Sequence, residues 1–144
     1  MNAPAKLAEL VRQTVEFTLD GRAVQAFEGE SILRAAERHG VEIPRLCYTE
    51  GLRPDGNCRA CVVEIKGERT LAPSCCRSVA AGMEVQATSE RALKSQRMVV
   101  EMLLSDMPER GYKWNDGDES ASEGAGEGEA VGQHGELTQW ADRL

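Results

Sequence analysis

The chain has 144 residues, of which 41% are hydrophobic, 28% charged and 4% aromatic, enough for one domain of ordinary size but not for two. It contains no run of 18 apolar residues and no signal-peptide pattern at its start, so we expect a cytoplasmic protein without a membrane span. Residues 1–114 carry sixteen basic and sixteen acidic side chains, so the net charge of −7 resides in the C-terminal part. This balance argues against nucleic acid or an anionic membrane as a partner, because both bind basic surfaces.

The first predicted elements are a β-hairpin and a helix. Residues 1–13 are expected to be an N-terminal extension, and residues 14–27 alternate apolar and polar side chains around Asp20-Gly21, a pair typical of two-residue hairpin turns. A helix follows and ends at Gly40, which is suited to the left-handed position after a helix. His39 lies in its last turn, where a capping role is favoured over metal binding.

A long loop, three strands and a second helix are predicted next. Residues 41–60 contain two prolines and two glycines and form a loop of the length that is usually functional in a compact domain. Strands are predicted at 61–66, 69–72 and 83–87. Thr88 or Ser89 then caps a helix over 89–106. Its core-facing stripe is predicted to consist of Leu93, Val99, Val100, Leu103 and Leu104.

The C-terminal part is predicted to be a flexible linker followed by a short helix. Residues 109–136 form the linker, and within it residues 115–136 hold six glycines and seven acidic residues, too few apolar groups to offset the entropy of ordering. Residues 137–144 begin an amphipathic helix. This helix has little to pack against in a single domain, so we expect the chain to be the front piece of a longer polypeptide or the helix to dock on another subunit.

Five cysteines carry the chemical signal of the sequence. An odd number in a chain without a secretory signal is poorly suited to a disulfide framework and leaves free thiols for metal. Four of them follow the pattern C-x10-C-x2-C-x13-C, and the fifth directly follows the fourth. The five are Cys47, Cys58, Cys61, Cys75 and Cys76.

Four thiolates suit either a tetrahedral zinc ion or an iron-sulfur cluster. Structural zinc sites more often use two short cysteine pairs, whereas this chain has one C-x2-C pair and two isolated cysteines. Small residues around Cys58 and Cys61 allow the loop backbone to direct N–H groups at sulfur, and such bonds stabilise a charged cluster. An iron-sulfur site is therefore favoured, with a zinc-stabilised protein-binding module as the alternative.

Three segments carry a family resemblance. The stretches LCYTEGLRPDGNCRACVVEI, LAPSC and GMEV resemble the N-terminal [2Fe-2S] domain in the large iron-sulfur subunits of NADH dehydrogenases, bidirectional hydrogenases and NAD-dependent molybdenum or tungsten formate dehydrogenases. The resemblance covers residues 14–108. It implies an α+β fold of the β-grasp, ferredoxin-like type, to which the patterns above add a C-terminal helix and an acidic disordered tail. It also implies one [2Fe-2S] cluster with the ligands Cys47, Cys58, Cys61 and Cys75.

The resemblance further implies how the thiols are used. Cys47 and Cys58 would hold one iron, and Cys61 and Cys75 the other. Cys76 is then spare: adjacent side chains of an extended segment point to opposite faces, so it is expected to turn away and act as a small buried hydrophobic residue. The chain itself would hold no catalytic residue and would act as a one-electron carrier.

One departure distinguishes the branches of this family. In the NADH dehydrogenase and hydrogenase branches, the second helix leads to an Asn-His-Pro stretch and further cysteines for a second cluster, but here Met107 stands where the His would be and no cysteine follows Cys76. The sequence therefore resembles the formate dehydrogenase branch, whose partners are flavin/NAD-binding and other iron-sulfur subunits or domains. A subunit of an NADH dehydrogenase or hydrogenase complex is the alternative.

Four arginines lie close to the cysteines in the sequence. They either steer an acidic partner and tune the cluster, or form a solvated loop surface. They are Arg45, Arg53, Arg59 and Arg77.

Overall fold

The structure is a computed structural model that describes residues 13–106 and 136–144. In chain order its elements are β1 (Thr14–Leu19), β2 (Arg22–Phe27), α1 (Ile32–Arg38), β3 (Val62–Ile65), β4 (Ala72–Pro73), β5 (Glu84–Gln86), α2 (Glu90–Ser105) and α3 (Glu136–Arg143). All but the last residue of the predicted extension at 1–13, and most of the predicted linker at 109–136, lie outside the described residues. None of the helices described is long and apolar enough to cross a membrane.

The five strands form one mixed sheet in the order β2-β1-β5-β3-β4. β1 pairs in parallel with β5 at the centre, and the other neighbours are antiparallel. The predicted hairpin is present, with Leu19 opposite Arg22 and with positive φ at both turn residues, Asp20 (48°) and Gly21 (80°). A sheet of this order with a helix packed on it is the β-grasp α+β fold that the sequence resemblance implied.

The core lies between the sheet and α1. Phe17 and Leu19 of β1, Ile32 and Leu33 of α1, and Val85 of β5 are all at most 2% exposed. Burying such side chains stabilises the fold by about 1.5–3 kcal/mol each. This layer holds α1 against the sheet and fixes both ends of the long loop that follows α1.

The first helix ends as the sequence predicts. His39 caps α1, with its backbone N–H donating to the carbonyls of Ala35 and Ala36, and Gly40 has φ +75°. The His39 ring Nε2 lies 2.7 Å from the carbonyl oxygen of Gln25 on β2. The imidazole therefore has a structural partner on β2, and the capping contacts to α1 are made by the His39 backbone N–H.

The structure corrects two details of the predicted elements. The strand predicted at 69–72 is only the two-residue β4, Ala72–Pro73. The face that α2 buries consists of Ala92, Gln96 and Val100. Leu93 and Leu103 of the predicted stripe are each 38% exposed, because the helix is rotated so that a glutamine, rather than a leucine, faces the sheet.

Gln96 is the polar anchor of α2. It is 1% exposed, and its Nε2 donates to the carbonyl of Val62 at 2.9 Å and to that of Ala87 at 3.4 Å. We expect Gln96→Ala to lower the free energy of unfolding by roughly 2–4 kcal/mol, since it leaves a cavity and unpaired carbonyls. Urea denaturation measures the change. The exposed control on the same helix, Glu101→Ala, should change stability by less than about 0.5 kcal/mol, and equal effects of the two variants would refute the role given to Gln96.

Glu30 joins the end of β2 to α1. Its carboxylate accepts from the Phe27 N–H at 2.9 Å and from the Arg38 guanidinium at 2.7 Å. Partial burial works to raise the pKa of Glu30, but these hydrogen bonds outweigh it and hold the pKa below its ordinary value.

A carboxyl group whose pKa is lower in the folded state stabilises the fold above its unfolded pKa and loses this contribution as the pH falls. We therefore expect Glu30→Gln to reduce the free energy of unfolding by a constant amount above roughly pH 5. The difference from wild type should shrink as the pH is lowered through the folded-state pKa. Denaturation curves of both proteins between neutral and acidic pH test this, and a difference independent of pH would contradict it.

The C-terminal helix packs on the same domain. α3 contacts α2, Arg143 forms an ion pair with Glu42, and the Arg97 guanidinium donates to the carbonyl of Leu144. Trp140 is half-buried. α3 therefore contacts α2 and the segment after α1, whereas its position in the sequence predicts that it has little to pack against in this domain.

Candidate metal centre

The five thiols lie on two parts of the fold, and the sheet brings one pair together. β3 and β4 are antiparallel with Val62 opposite Pro73, so Cys61, just before β3, lies near Cys75, just after β4. Ser74 reinforces this approach: its N–H and its hydroxyl both donate to the Cys61 carbonyl, at 3.1 and 2.7 Å. Both cysteines are buried.

Helix α1 holds the turn that carries Cys75. The N–H of Leu33 donates to the Ser74 carbonyl at 3.0 Å, and the N–H of Ile32 donates to the Arg77 carbonyl at 2.9 Å. These two amides lie in the first turn of α1 and have no acceptor within the helix, so the carbonyls of Ser74 and Arg77 serve as their acceptors. Ser74 is fully buried, and no motif in the sequence singled it out as a residue that positions a thiol.

The second pair belongs to the long loop. Cys47 is exposed and Cys58 half-buried, and their side chains are hydrogen-bonded to each other. Two residues with positive φ shape the segment around Cys58, namely Gly56 (65°) and Arg59 (60°). Positive φ is uncommon for arginine, and here it turns the backbone around the sulfur.

Backbone N–H groups surround the second pair. The backbone N–H groups of Cys58 and Asn57 act to lower the pKa of Cys47, and those of Ala60, Cys47 and Leu46 act to lower that of Cys58. Burial works to raise the pKa of Cys47, but its hydrogen bonds hold that pKa below the ordinary value. For Cys58, burial prevails and the pKa is raised. The loop thus directs N–H groups at sulfur, as its small residues predict.

The buried pair has a different electrostatic setting. Burial, followed by the neighbouring thiols of Cys61 and Cys76, raises the pKa of Cys75 well above its ordinary value. Anionic sulfur at this position is therefore costly unless a cation shares its charge, which an iron or zinc ion does. A buried thiol in such a setting fits a metal ligand.

The four thiols of the predicted ligand set are in contact as two pairs. Within 13–106 and 136–144, no three histidine, cysteine or acidic side chains are grouped so as to hold a single ion. The side-chain contacts instead join Cys47 to Cys58 and Cys61 to Cys75. A [2Fe-2S] cluster takes four cysteine ligands shared between two irons, and the division of these thiols into two pairs is compatible with this requirement.

The prediction for Cys76 is wrong in two respects. Residues 74–76 form a turn rather than an extended segment, so the sulfurs of Cys75 and Cys76 lie only 3.6 Å apart. Cys76 is also exposed rather than buried. The turn places consecutive side chains on the same side, which a strand does not do.

Most of the arginines near the thiols have carboxylate partners. Arg45 pairs with Glu37 at 2.7 Å, Arg77 pairs with Glu68, and Arg53 lies 3.9 Å from Asp55. Such exposed pairs contribute little to stability and reduce the positive field around the loop. This pairing favours the interpretation of these arginines as a solvated surface.

A β-grasp fold whose long loop and β4 turn present two pairs of thiols defines the ferredoxin-like class of iron-sulfur domains. Residues 12–90, more than half of the chain, match the family described as "2Fe-2S iron-sulfur cluster binding domain". The chain belongs to this family and binds one [2Fe-2S] cluster. The identity of the four ligands remains a prediction.

The relatives that the chain resembles are subunits of oxidoreductases and hydrogenases. The chain is 47% identical over 94 residues to the mitochondrial NADH-ubiquinone oxidoreductase 78 kDa subunit of Candida albicans, a match covering 65% of this chain and 13% of that protein. It is 45% identical over 96 residues to the NADP-reducing hydrogenase subunit HndD of Solidesulfovibrio fructosivorans, covering 63% and 16%. The chain thus spans less than a fifth of the length of either relative.

A solved structure shares the fold. A crystal structure of NAD+-reducing [NiFe]-hydrogenase in the H2-reduced state superimposes with a TM-score of 0.60 and 33% identity, covering 66% of this chain and 40% of that one. The similarity in both sequence and backbone supports the β-grasp assignment made from the strand order.

Proposed function

We propose that this chain transfers single electrons through a [2Fe-2S] cluster held by Cys47, Cys58, Cys61 and Cys75. The observation that carries the proposal is the grouping of these thiols into two pairs within a domain of the 2Fe-2S family. When bound, the cluster accepts and returns one electron without making bonds to a substrate.

The protein's own residues set the conditions for this chemistry. The N–H groups around Cys47 and Cys58 stabilise negative charge on sulfur at the exposed side. Burial of Cys61 and Cys75 keeps water from the other side. Cys47 is exposed, and the nearby loop residue Leu52 is 68% exposed. A partner can therefore approach the ligand loop closely. Electron transfer requires a short distance between the cluster and the redox group of the partner.

Iron and sulfide analysis tests the cofactor assignment against the zinc alternative. The chain should contain about two irons and two sulfides, the content of a single [2Fe-2S] centre. It should be red-brown and bleach on addition of dithionite. A colourless chain with one zinc ion would support the protein-binding module instead, and a second reducible centre in this chain would contradict the proposed cluster count.

We propose that the natural assembly is a cytoplasmic NAD-dependent formate dehydrogenase. After Cys76 the chain has no further cysteine, and Met107 occupies the place of a histidine that the NADH dehydrogenase and hydrogenase branches would use for a second cluster. The domain would then relay electrons between a molybdenum or tungsten formate-oxidising centre and a flavin/NAD-binding subunit.

The second candidate is a subunit of an NADH dehydrogenase or hydrogenase complex. The relatives reported above favour it, since they carry these names and reach 45–47% identity. The two candidates differ in electron donor. Formate supplies the electrons in the first, and NADH or hydrogen in the second.

Purification of the native complex through an affinity tag on this chain distinguishes the candidates. The complex should reduce NAD with formate and contain molybdenum or tungsten. Turnover with hydrogen, or quinone reduction by NADH, without any formate activity would replace the first candidate by the second. A complex without redox activity would overturn both.

A further inference from the structure

Cys76 is the thiol that the predicted ligand set does not use, yet its position is that of a ligand neighbour. Its sulfur lies 3.6 Å from the sulfur of Cys75, and its side chain is exposed. The turn is closed by the N–H groups of Cys76 and Arg77, which both donate to the Pro73 carbonyl, at 3.1 and 3.0 Å. The fold therefore presents two adjacent thiols at one corner of the site.

The ligand loop passes close to the Cys76 sulfur at Gly56. Gly56, two residues before Cys58, is buried and has φ +65°. A Cβ on Gly56 would lie 3.0 Å from the Cys76 sulfur, closer than side chains normally approach. The absence of a side chain at Gly56 gives this thiol room inside the loop that carries Cys47 and Cys58.

We propose that Cys76 is an alternative ligand that replaces Cys75 at the cluster when the Cys75 thiolate is not available. The inference rests on the proposed ligand set. In the exchange, the bond from iron to the Cys75 sulfur is absent and the Cys76 thiol loses its proton to solvent and forms the bond instead. No electron is gained or lost by the cluster, and no oxidant is needed.

The chain offers this substitution at one ligand position only. The Cys76 sulfur contacts that of Cys75, whereas Cys47 and Cys58 contact each other, so the spare thiol is adjacent to one ligand position. Loss of Cys58 therefore cannot be compensated in the same way, and Cys58→Ala is the matched control for Cys75→Ala.

The test uses the 144-residue chain reconstituted under nitrogen with ferrous iron and sulfide. We expect Cys75→Ala to retain at least about half of the wild-type iron and sulfide, with a shifted visible spectrum, because a thiolate still completes the four ligands. Cys58→Ala and the double variant Cys75→Ala/Cys76→Ala should each retain less than about a tenth. Circular dichroism establishes that each variant is folded.

Alkylation with iodoacetamide supplies a second readout. In the loaded wild-type chain Cys76 is exposed and should be modified, whereas in loaded Cys75→Ala it should be protected until a chelator removes the iron. Mass spectrometry of the peptides identifies the modified cysteine. Should the alanine variants fail to fold, serine variants of nearly the same side-chain volume replace them. The iron content of Cys75→Ser is then compared with that of the double variant Cys75→Ser/Cys76→Ser.

Two results would overturn the inference. One is equal loss of iron from folded Cys75→Ala and Cys58→Ala, and the other is a retained cluster in Cys75→Ala with Cys76 still alkylated. Failure of the proposed function looks different, since the wild-type chain would then bind no reducible two-iron cluster at all.

Discussion

Replacing Cys58 or Cys61 by serine should reduce the iron content from about two per chain to nearly none and abolish the visible spectrum. Each residue belongs to a different thiol pair, and each pair is predicted to hold one iron, so losing either member leaves an iron with too few sulfur ligands. Iron and sulfide analysis after anaerobic purification measures the effect. Cys47→Ser should also lose or strongly alter the cluster, whereas Cys75→Ser should keep iron with an altered spectrum, because the neighbouring Cys76 thiol can complete the ligand set.

Cys76→Ser is the comparison for these variants. With Cys75 present, the Cys76 thiol is outside the ligand set, so its serine variant should keep the wild-type spectrum. If Cys76→Ser bleaches the protein while Cys75→Ser does not, the fourth ligand has been assigned one residue too early.

In the proposed formate dehydrogenase complex, removing the cluster should separate formate oxidation from NAD reduction. The double variant Cys58→Ser/Cys61→Ser, verified to be free of this cluster, should still oxidise formate when an artificial dye accepts electrons directly from the metal centre. NAD reduction by formate should fall by about tenfold or more, since the relay between the two sites is broken. Steady-state rates with dye and with NAD measure the two activities on one preparation.

A surface variant away from the thiols controls for assembly of the complex. Lys66 is exposed and pairs with Glu84 at 2.8 Å, so Lys66→Gln should leave both rates close to wild type. Unchanged formate-to-NAD turnover in the cluster-free complex would mean that the domain lies off the main electron route, and the relay hypothesis would fail.

Local sequence signals determined the elements of this fold. Asp20-Gly21 has the backbone freedom that a two-residue turn needs, and the structure places positive φ at both residues. Ser89 caps α2, its side chain accepting from the N–H of Ala92. These features depend on interactions within a few residues, which is why alternation, caps and glycines predicted them.

The cofactor of the candidate site could also be predicted from the sequence. Cysteine number and spacing, together with the resemblance, pointed to a [2Fe-2S] cluster, because soft ligands at defined spacing have few other uses in a chain of this kind. The family match over residues 12–90 agrees with this cofactor. Spacing alone left zinc open, since it does not tell whether four thiols converge on one point or on two.

Tertiary structure decided the features that depend on distant contacts. The buried face of α2 follows from two carbonyls, those of Val62 and Ala87, that Gln96 satisfies, so helical periodicity favoured leucines that are in fact partly exposed. The sequence predicts that Cys76 points away from Cys75, because adjacent residues of an extended segment face opposite sides, whereas hydrogen bonds from Ile32 and Leu33 of α1 hold residues 74–77 in a turn. Periodicity reports which residues can share a face. The buried face of a helix and the contacts between thiols depend on residues that are distant in the sequence. Only the folded molecule brings these residues together.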